Sequence, residues 1–295
     1  MNLPQLGTVI RASRGVAGEI TRLAPHGFES WQIAWSLKRD TIPPLAELAR
    51  EISPLLERTG TVVSALGIYG NPLRTDALGE ESRRALREAF STAALFGTSI
   101  VACFAGRVPG AAVDACIPRF TAIWSELVRE AAEEGVRVAF ENCLQGGTWE
   151  SGDWNIAHNP DAWELIFDAV PSSTLGLEWE PAHQMCQCID PMQQLARWAP
   201  RIFHIHGKDA NVDRDMIVRH GVYGRERFAW HRLPGFGDCN WAQIFTLLSR
   251  NGFTGNVDIE GFHDPVYKEE REYEGQILAL KYLRECRASA AGEVK

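Results

Sequence analysis

Five times along this chain the same phrase returns: an amphipathic stretch, a glycine, then a short run of β-branched and aromatic residues. Gly27 precedes FESWQIAW, Gly60 precedes TVVSALGIY, Gly97 precedes TSIVACFAG, Gly135 precedes VRVAFEN, and Gly252 precedes FTGNVDIE. A helix favours glycine just past its last turn because glycine accepts the positive φ found there, so each phrase reads as a helix end followed by a strand. The intervening LAELAREISPLLERT, ESRRALREAFSTAALF and FTAIWSELVREAAEE carry apolar residues at i, i+3 and i+4, the helical period. Asn159 with Pro160 and Asp190 with Pro191 each supply a cap residue followed by proline at the first helical position. A first strand near Leu6 to Arg11 and further strands at about 175–180 and 202–207 bring the count to roughly eight, alternating with helices. That alternation predicts an α/β fold, a (β/α)8 TIM barrel. A doubly wound sheet is the rival, but its nucleotide fingerprint is missing: Gly235-Phe236-Gly237 neither follows a clear strand nor opens a helix with a third glycine.

No Pro/Ser/Gly-rich linker or long charge run breaks the pattern, so residues 1–295 read as a single domain. The 30 basic and 38 acidic residues leave a net charge of −8. No basic footprint advertises a nucleic-acid partner. No apolar run approaches the roughly 18 residues of a membrane span, and the start MNLPQLGTVIRASRG lacks the apolar stretch of a signal peptide. The expectation is a cytoplasmic protein without a membrane partner, with monomer and homo-oligomer both open. Seven cysteines, an odd number scattered through the chain, do not form a disulfide framework. Cys186 and Cys188 read as core or redox-inert thiols.

The strand ends carry the chemistry. In RIFHIHGKDA, alternation puts His204 and His206 on one face and Phe203 and Ile205 on the other. The same alternation pairs Ala139 with Glu141, Glu178 with Glu180, and Asp258 with Glu260. A parallel barrel gathers such residues at one mouth, where carboxylates repel unless a cation joins them. Glu141, Glu180, His206 and Glu260 are therefore the candidate metal ligands. An oxygen-rich set with one nitrogen suits Mn²⁺ first, with Mg²⁺, Co²⁺ and Zn²⁺ as alternatives. Two residues deeper on the same face, Arg137, Glu178, His204 and Asp258 should form a buried polar layer, with Arg137 against Glu178 or Asp258. Lys208 and Arg232 are cations placed to hold substrate hydroxyls or a carbonyl, or else solvated. Asn71 is placed to bind a polyol, or else to serve the turn before Pro72. Of the tryptophans, Trp154 is among the candidates to stack on a sugar, whereas Trp179 should be core.

Phrases along the whole chain resemble one family. They are IYGNPL at Ile68 to Leu73, CFAGR at Cys103 to Arg107, VAFENC at Val138 to Cys143, EPAHQ at Glu180 to Gln184, HIHGKDA, RLPGFGDCNW at Arg232 to Trp241, and IEGFHDP at Ile259 to Pro265. Their order and spacing are similar to the xylose isomerase-like TIM barrels, the sugar phosphate isomerases and epimerases that include tagatose and psicose 3-epimerases, 3-keto-glucoside epimerases and inosose dehydratases. The resemblance implies metal ligation by Glu141, Glu180, His206 and Glu260, acid–base work by Glu141 and Glu260, and a substrate-contacting His183. The family usually has Asp where this chain has Glu180. The implied activity is a divalent-metal-dependent isomerase or epimerase of a ketose or 3-keto sugar, working by proton abstraction next to a carbonyl through a metal-bound enediolate. A lyase or dehydratase using the same residues is the main alternative. An endonuclease IV-like phosphodiesterase and a non-catalytic sugar-binding barrel are lesser ones.

Overall fold

The computed structural model describes residues 3–293. Ten strands occur among them: β1 Gln5–Arg11, β2 Ser30–Ser36, β3 Val62–Tyr69, β4 Ile100–Cys103, β5 Arg137–Glu141, β6 Leu175–Trp179, β7 Ile202–Gly207, β8 Asp209–Val212, β9 Ala229–Arg232 and β10 Asn256–Ile259. Eight of these hydrogen-bond in the order β1-β10-β7-β6-β5-β4-β3-β2 and close into a parallel barrel, while β8 and β9 form a separate antiparallel ribbon. The repeated glycines do what their placement implied. All five have φ between 66° and 90°, where an L side chain would be strained. Asn159 accepts from Ala162 N at 3.0 Å, and Asp190 accepts from Met192 N at 2.8 Å, so both predicted caps form. No helix among the described residues is long and apolar enough to cross a membrane.

The chain gathers into two compact units. One comprises Val9–Trp179 with Arg201–Ile205. Its strand faces follow from the packing around β5. Phe140 meets Trp124 at 4.6 Å and Phe120 at 6.0 Å between ring centroids, both from the helix Val113–Glu133. Its neighbour Ala139 clusters instead with Ala65, Ile100, Ala102 and Phe203. Phe203 belongs to that second face because the β6/β7 register shifts between Leu177 and Glu178, so Leu177 pairs with Ile202 but Glu178 with His204. The slip corrects simple alternation, which had grouped Phe203 with Ile205. The fate of Arg137 differs too. It is exposed, and its guanidinium stacks 4.6 Å over the Phe203 ring rather than joining Glu178 or Asp258. It still shares the Ala139 side, so the facing assignment stands and only the extent of the polar layer changes.

The other unit comprises Glu180–Pro200 and His206 onward, together with β1 as far as Thr8. There β1 pairs with β10, Gly7 opposite Asp258, and Thr8 Oγ1 donates to Ile259 O at 2.8 Å. The β8–β9 ribbon and the loop after it lock together through Asp209. One of its oxygens accepts from Ala210 N at 2.8 Å and Cys239 N at 2.9 Å. A Cβ at Gly237 would lie 2.2 Å from that oxygen, so the loop's close approach requires glycine there. The ribbon has no counterpart in the sequence reading.

Candidate metal centre

In the unit that begins at Glu180, three predicted ligands meet. Glu180 follows β6 and directly precedes the short helix Pro181–Met185, His206 lies near the end of β7, and Glu260 follows β10. Glu260 N donates to Gly207 O at 3.2 Å, which ties the chain after β10 to the end of β7. His206 Nδ1 stands 3.4 Å from Glu180 and 3.6 Å from Glu260. One ligating atom from each of the three lies within 4.8 Å of the others, and all three residues are buried. Lys208 is buried as well, its ammonium 2.7 Å from Glu260 and 3.8 Å from Glu180. This lysine is not a surface cation. His183, on the helix after Glu180, places Nε2 3.3 Å from the Glu180 carboxylate.

The electrostatics separate the two carboxyls. Burial pushes Glu180 up to about 8, against the pull of Lys208 and with the added repulsion of Glu260. Burial acts on Glu260 in the same direction, but Lys208 and His206 together outweigh it and hold this carboxyl below the usual range. Burial, aided by the Lys208 charge, drives His183 well below an ordinary imidazole. His231, on β9, packs edge-on against His183 at 4.9 Å and is pushed down to about 3 by burial first and Lys208 second. Both rings are therefore neutral near pH 7. Two buried carboxyls and an imidazole, one carboxyl with its ionisation suppressed, form a donor set that fits a hard or borderline divalent cation.

Arg232 is engaged elsewhere in the same unit. Its guanidinium donates to Asp264 at 3.0 Å and to Asn211 at 2.8 Å. Asp264 in turn accepts from the backbone N–H groups of Leu233, Val266 and Tyr267. Arg232 thus fastens the ribbon to the segment after Glu260. Cys188 is exposed with φ 60° and Cys186 is partly buried, so the pair is not core.

The unit containing Val9–Trp179 holds Glu141 and Asn71. Glu141 is buried at the end of β5, and its carbonyl accepts from Asn155 Nδ2 at 2.8 Å. Asn155 also donates to Cys143 O and accepts from Ala105 N, which fixes the chain on either side of Glu141. Asn71 is fully buried. Its amide donates to Arg107 O and Asp153 O, both at 2.7 Å, and its oxygen accepts from Arg107 N at 2.9 Å and Leu73 N at 3.1 Å. Those four bonds are the turn chemistry foreseen as its other role. Trp179 is core as expected, whereas the Lys38 ammonium lies 3.4 Å over the Trp154 ring. Residues that the sequence reading passed over are His231, Asp264, Gln32 and Tyr69. The signal for the last was present in the IYGNPL phrase, but its partner lies 109 residues away.

The eight hydrogen-bonded strands close a (β/α)8 TIM barrel, and Glu180, His206 and Glu260 form a group of side chains at strand ends that could hold a metal ion. The family model for the xylose isomerase-like TIM barrel matches residues 20–286, and this chain belongs to that family. It is 24% identical to the uncharacterized protein YfiH of Bacillus subtilis over 284 residues, covering 85% of this chain and 87% of that one. An inosose dehydratase of Clostridium perfringens is 24% identical over 166 residues, 52% of this chain and only 50% of the dehydratase. The crystal structure of a D-tagatose 3-epimerase-like protein superimposes with a TM-score of 0.73 at 18% identity, covering 99% of this chain and 100% of the other.

Proposed function

We propose that the protein is a divalent-metal-dependent sugar isomerase or epimerase that removes a proton from the carbon beside a carbonyl, with a ketose or 3-keto sugar as substrate. The observation that carries the reading is the buried convergence of Glu180, His206 and Glu260. Glu141, at the end of β5, is the fourth proposed ligand. The bound ion, Mn²⁺ before Mg²⁺, Co²⁺ or Zn²⁺, would act as a Lewis acid that acidifies the C–H bond. The remaining work belongs to side chains. Glu260, whose carboxyl is held ionised, takes the proton in one direction, and Glu141 returns it from the opposite face, together worth about 10²- to 10⁴-fold. Lys208 fixes the Glu260 carboxylate and offers a charge to the oxygen that becomes negative. His183, neutral near pH 7, donates to or accepts from a substrate hydroxyl. Asn71 enters this proposal as a support of the loops around the substrate, because its amide is already engaged, whereas Arg232, with Nε and Nη1 engaged, keeps its place as a substrate-binding residue through the rest of its guanidinium.

The partial match to inosose dehydratases favours a second reading, elimination of water after the same proton abstraction. The two differ in product: an isomer of unchanged mass against a product lighter by one water. Metal content tests the shared premise. Purified wild type and Glu180→Asp should carry bound divalent metal, and Glu180→Ala should lose most of it. Equal metal in the wild type and the alanine variant would remove Glu180 from the ligand set.

A further inference from the structure

Glu178 is a fully buried acidic residue on β6 on which three polar side chains converge. Gln32 Nε2 at 2.6 Å and His204 Nδ1 at 2.8 Å reach one oxygen, and Tyr69 OH at 2.6 Å reaches the other. The Gln32 amide also donates to the Tyr69 oxygen at 2.8 Å. The Gln32 amide and the Tyr69 hydroxyl donate to Glu178, and His204 Nδ1 shares a hydrogen bond with it. The backbone is adjusted to allow this. Register shifts between Trp31 and Gln32 and between Leu177 and Glu178 bring the side chains into line. A Cβ at Gly67 would meet Tyr69 Cε2 at 2.7 Å and Gln32 Nε2 at 3.2 Å, so that position is kept bare for the network. A buried carboxylate is a poor way to gain stability compared with apolar packing, which points to a purpose beyond holding the fold.

We propose that the Gln32–Tyr69–Glu178–His204 network is a positioning device for the metal ligands, an inference that rests on the functional reading above. Glu178 and His204 lie two residues before Glu180 and His206 on the same lines of chain, and residues two apart on a strand share a side. The Glu178–His204 bond therefore fixes the last turns of the pleat in β6 and β7, from which the two ligands project. Ligand sets of this kind need their geometry held to about half an ångström. Loss of a hydrogen-bond partner behind the ligands typically costs about 10- to 100-fold in metal affinity.

The test uses the full-length protein, calorimetric Mn²⁺ titration and the visible absorption spectrum of the Co²⁺-loaded form, with thermal melts alongside. Glu178→Gln should weaken Mn²⁺ binding by about 10- to 100-fold and change the Co²⁺ spectrum, and the milder Tyr69→Phe should weaken binding by about 3- to 10-fold. A merely structural network would lower the melting temperature but leave the affinity and the Co²⁺ bands unchanged. That result in either folded variant overturns the proposal, and Tyr69→Phe decides the matter if Glu178→Gln does not fold. A wild type that binds neither ion would retire the functional reading and this inference together. A wild type that binds both, with variants that bind as well as it does, would retire this inference alone.

Discussion

Replacing Asn71 by alanine should unfold the loop cluster it holds rather than weaken substrate binding. Its side chain makes four hydrogen bonds of 2.7–3.1 Å to the backbone of Leu73, Arg107 and Asp153, and the residue has no exposure. Each buried group left without a partner costs about 1–3 kcal/mol. Water entering the vacated space recovers part of the loss, so the expected destabilisation is about 3–5 kcal/mol. At an m-value of about 3 kcal/mol/M in urea, the unfolding midpoint falls by about 1–1.7 M. Asn71→Asp should do no better. It keeps the two acceptor bonds but turns an oxygen toward the Arg107 and Asp153 carbonyls, which the amide had met as a donor. Urea unfolding followed by circular dichroism measures both variants. A loss below about 1 kcal/mol together with a raised KM would refute the reasoning and return Asn71 to the substrate.

Two further expectations concern stability. Burial pushes the Asp209 carboxyl from its ordinary 3.8 up to about 7, against opposing bonds from Cys239 N and Ala210 N. A raised folded-state value means that this group's contribution is fully present below about pH 4 and is lost as pH rises through about 7, so Asp209→Asn should gain about 2–3 kcal/mol on wild type between pH 5 and pH 8.5; a pH-independent difference in unfolding free energy would contradict it. The boundaries of the two compact units cut β1 after Thr8 and β7 after Ile205, in mid-strand, so calorimetry should record one cooperative transition, and two resolved transitions would count against a single domain.

The barrel was legible because its punctuation is chemical. Glycine past a helix end marks Gly27, Gly60, Gly97, Gly135 and Gly252 as surely in the sequence as in the backbone, and Asn159 and Asp190 announce their helices through cap and proline. The residues after the strands were legible for a related reason: a carboxylate closing an apolar run stands out. What failed were inferences that counted residues by twos through an irregularity. The slip between Leu177 and Glu178 turns Phe203 onto the Ala139 face, and nothing in IFHIHG marks it. Arg137 begins its strand, where a long side chain reaches solvent across the Phe203 ring instead of entering a polar layer. The β8–β9 ribbon escaped because its strands are four residues each, separated by the helix Arg214–His220 and its flanking turns, too short for a periodic signal. The Gln32–Tyr69–Glu178 bonds join residues 109 to 146 positions apart, a pairing visible only once the barrel has closed.

Proton transfer is the central claim, and deuterium exchange tests it most directly. Mn²⁺-loaded wild type is incubated in D₂O with a panel of ketoses and 3-keto glycosides, and the recovered substrate and product are read by mass spectrometry and NMR, beside Glu260→Gln at measured metal occupancy. The account predicts deuterium at the carbon next to the carbonyl for at least one member of the panel. It also predicts that turnover falls about 10²-fold or more in metal-loaded Glu260→Gln. Conversion of a panel sugar by wild type with no solvent deuterium at that carbon, or a metal-loaded Glu260→Gln with undiminished turnover, would contradict it.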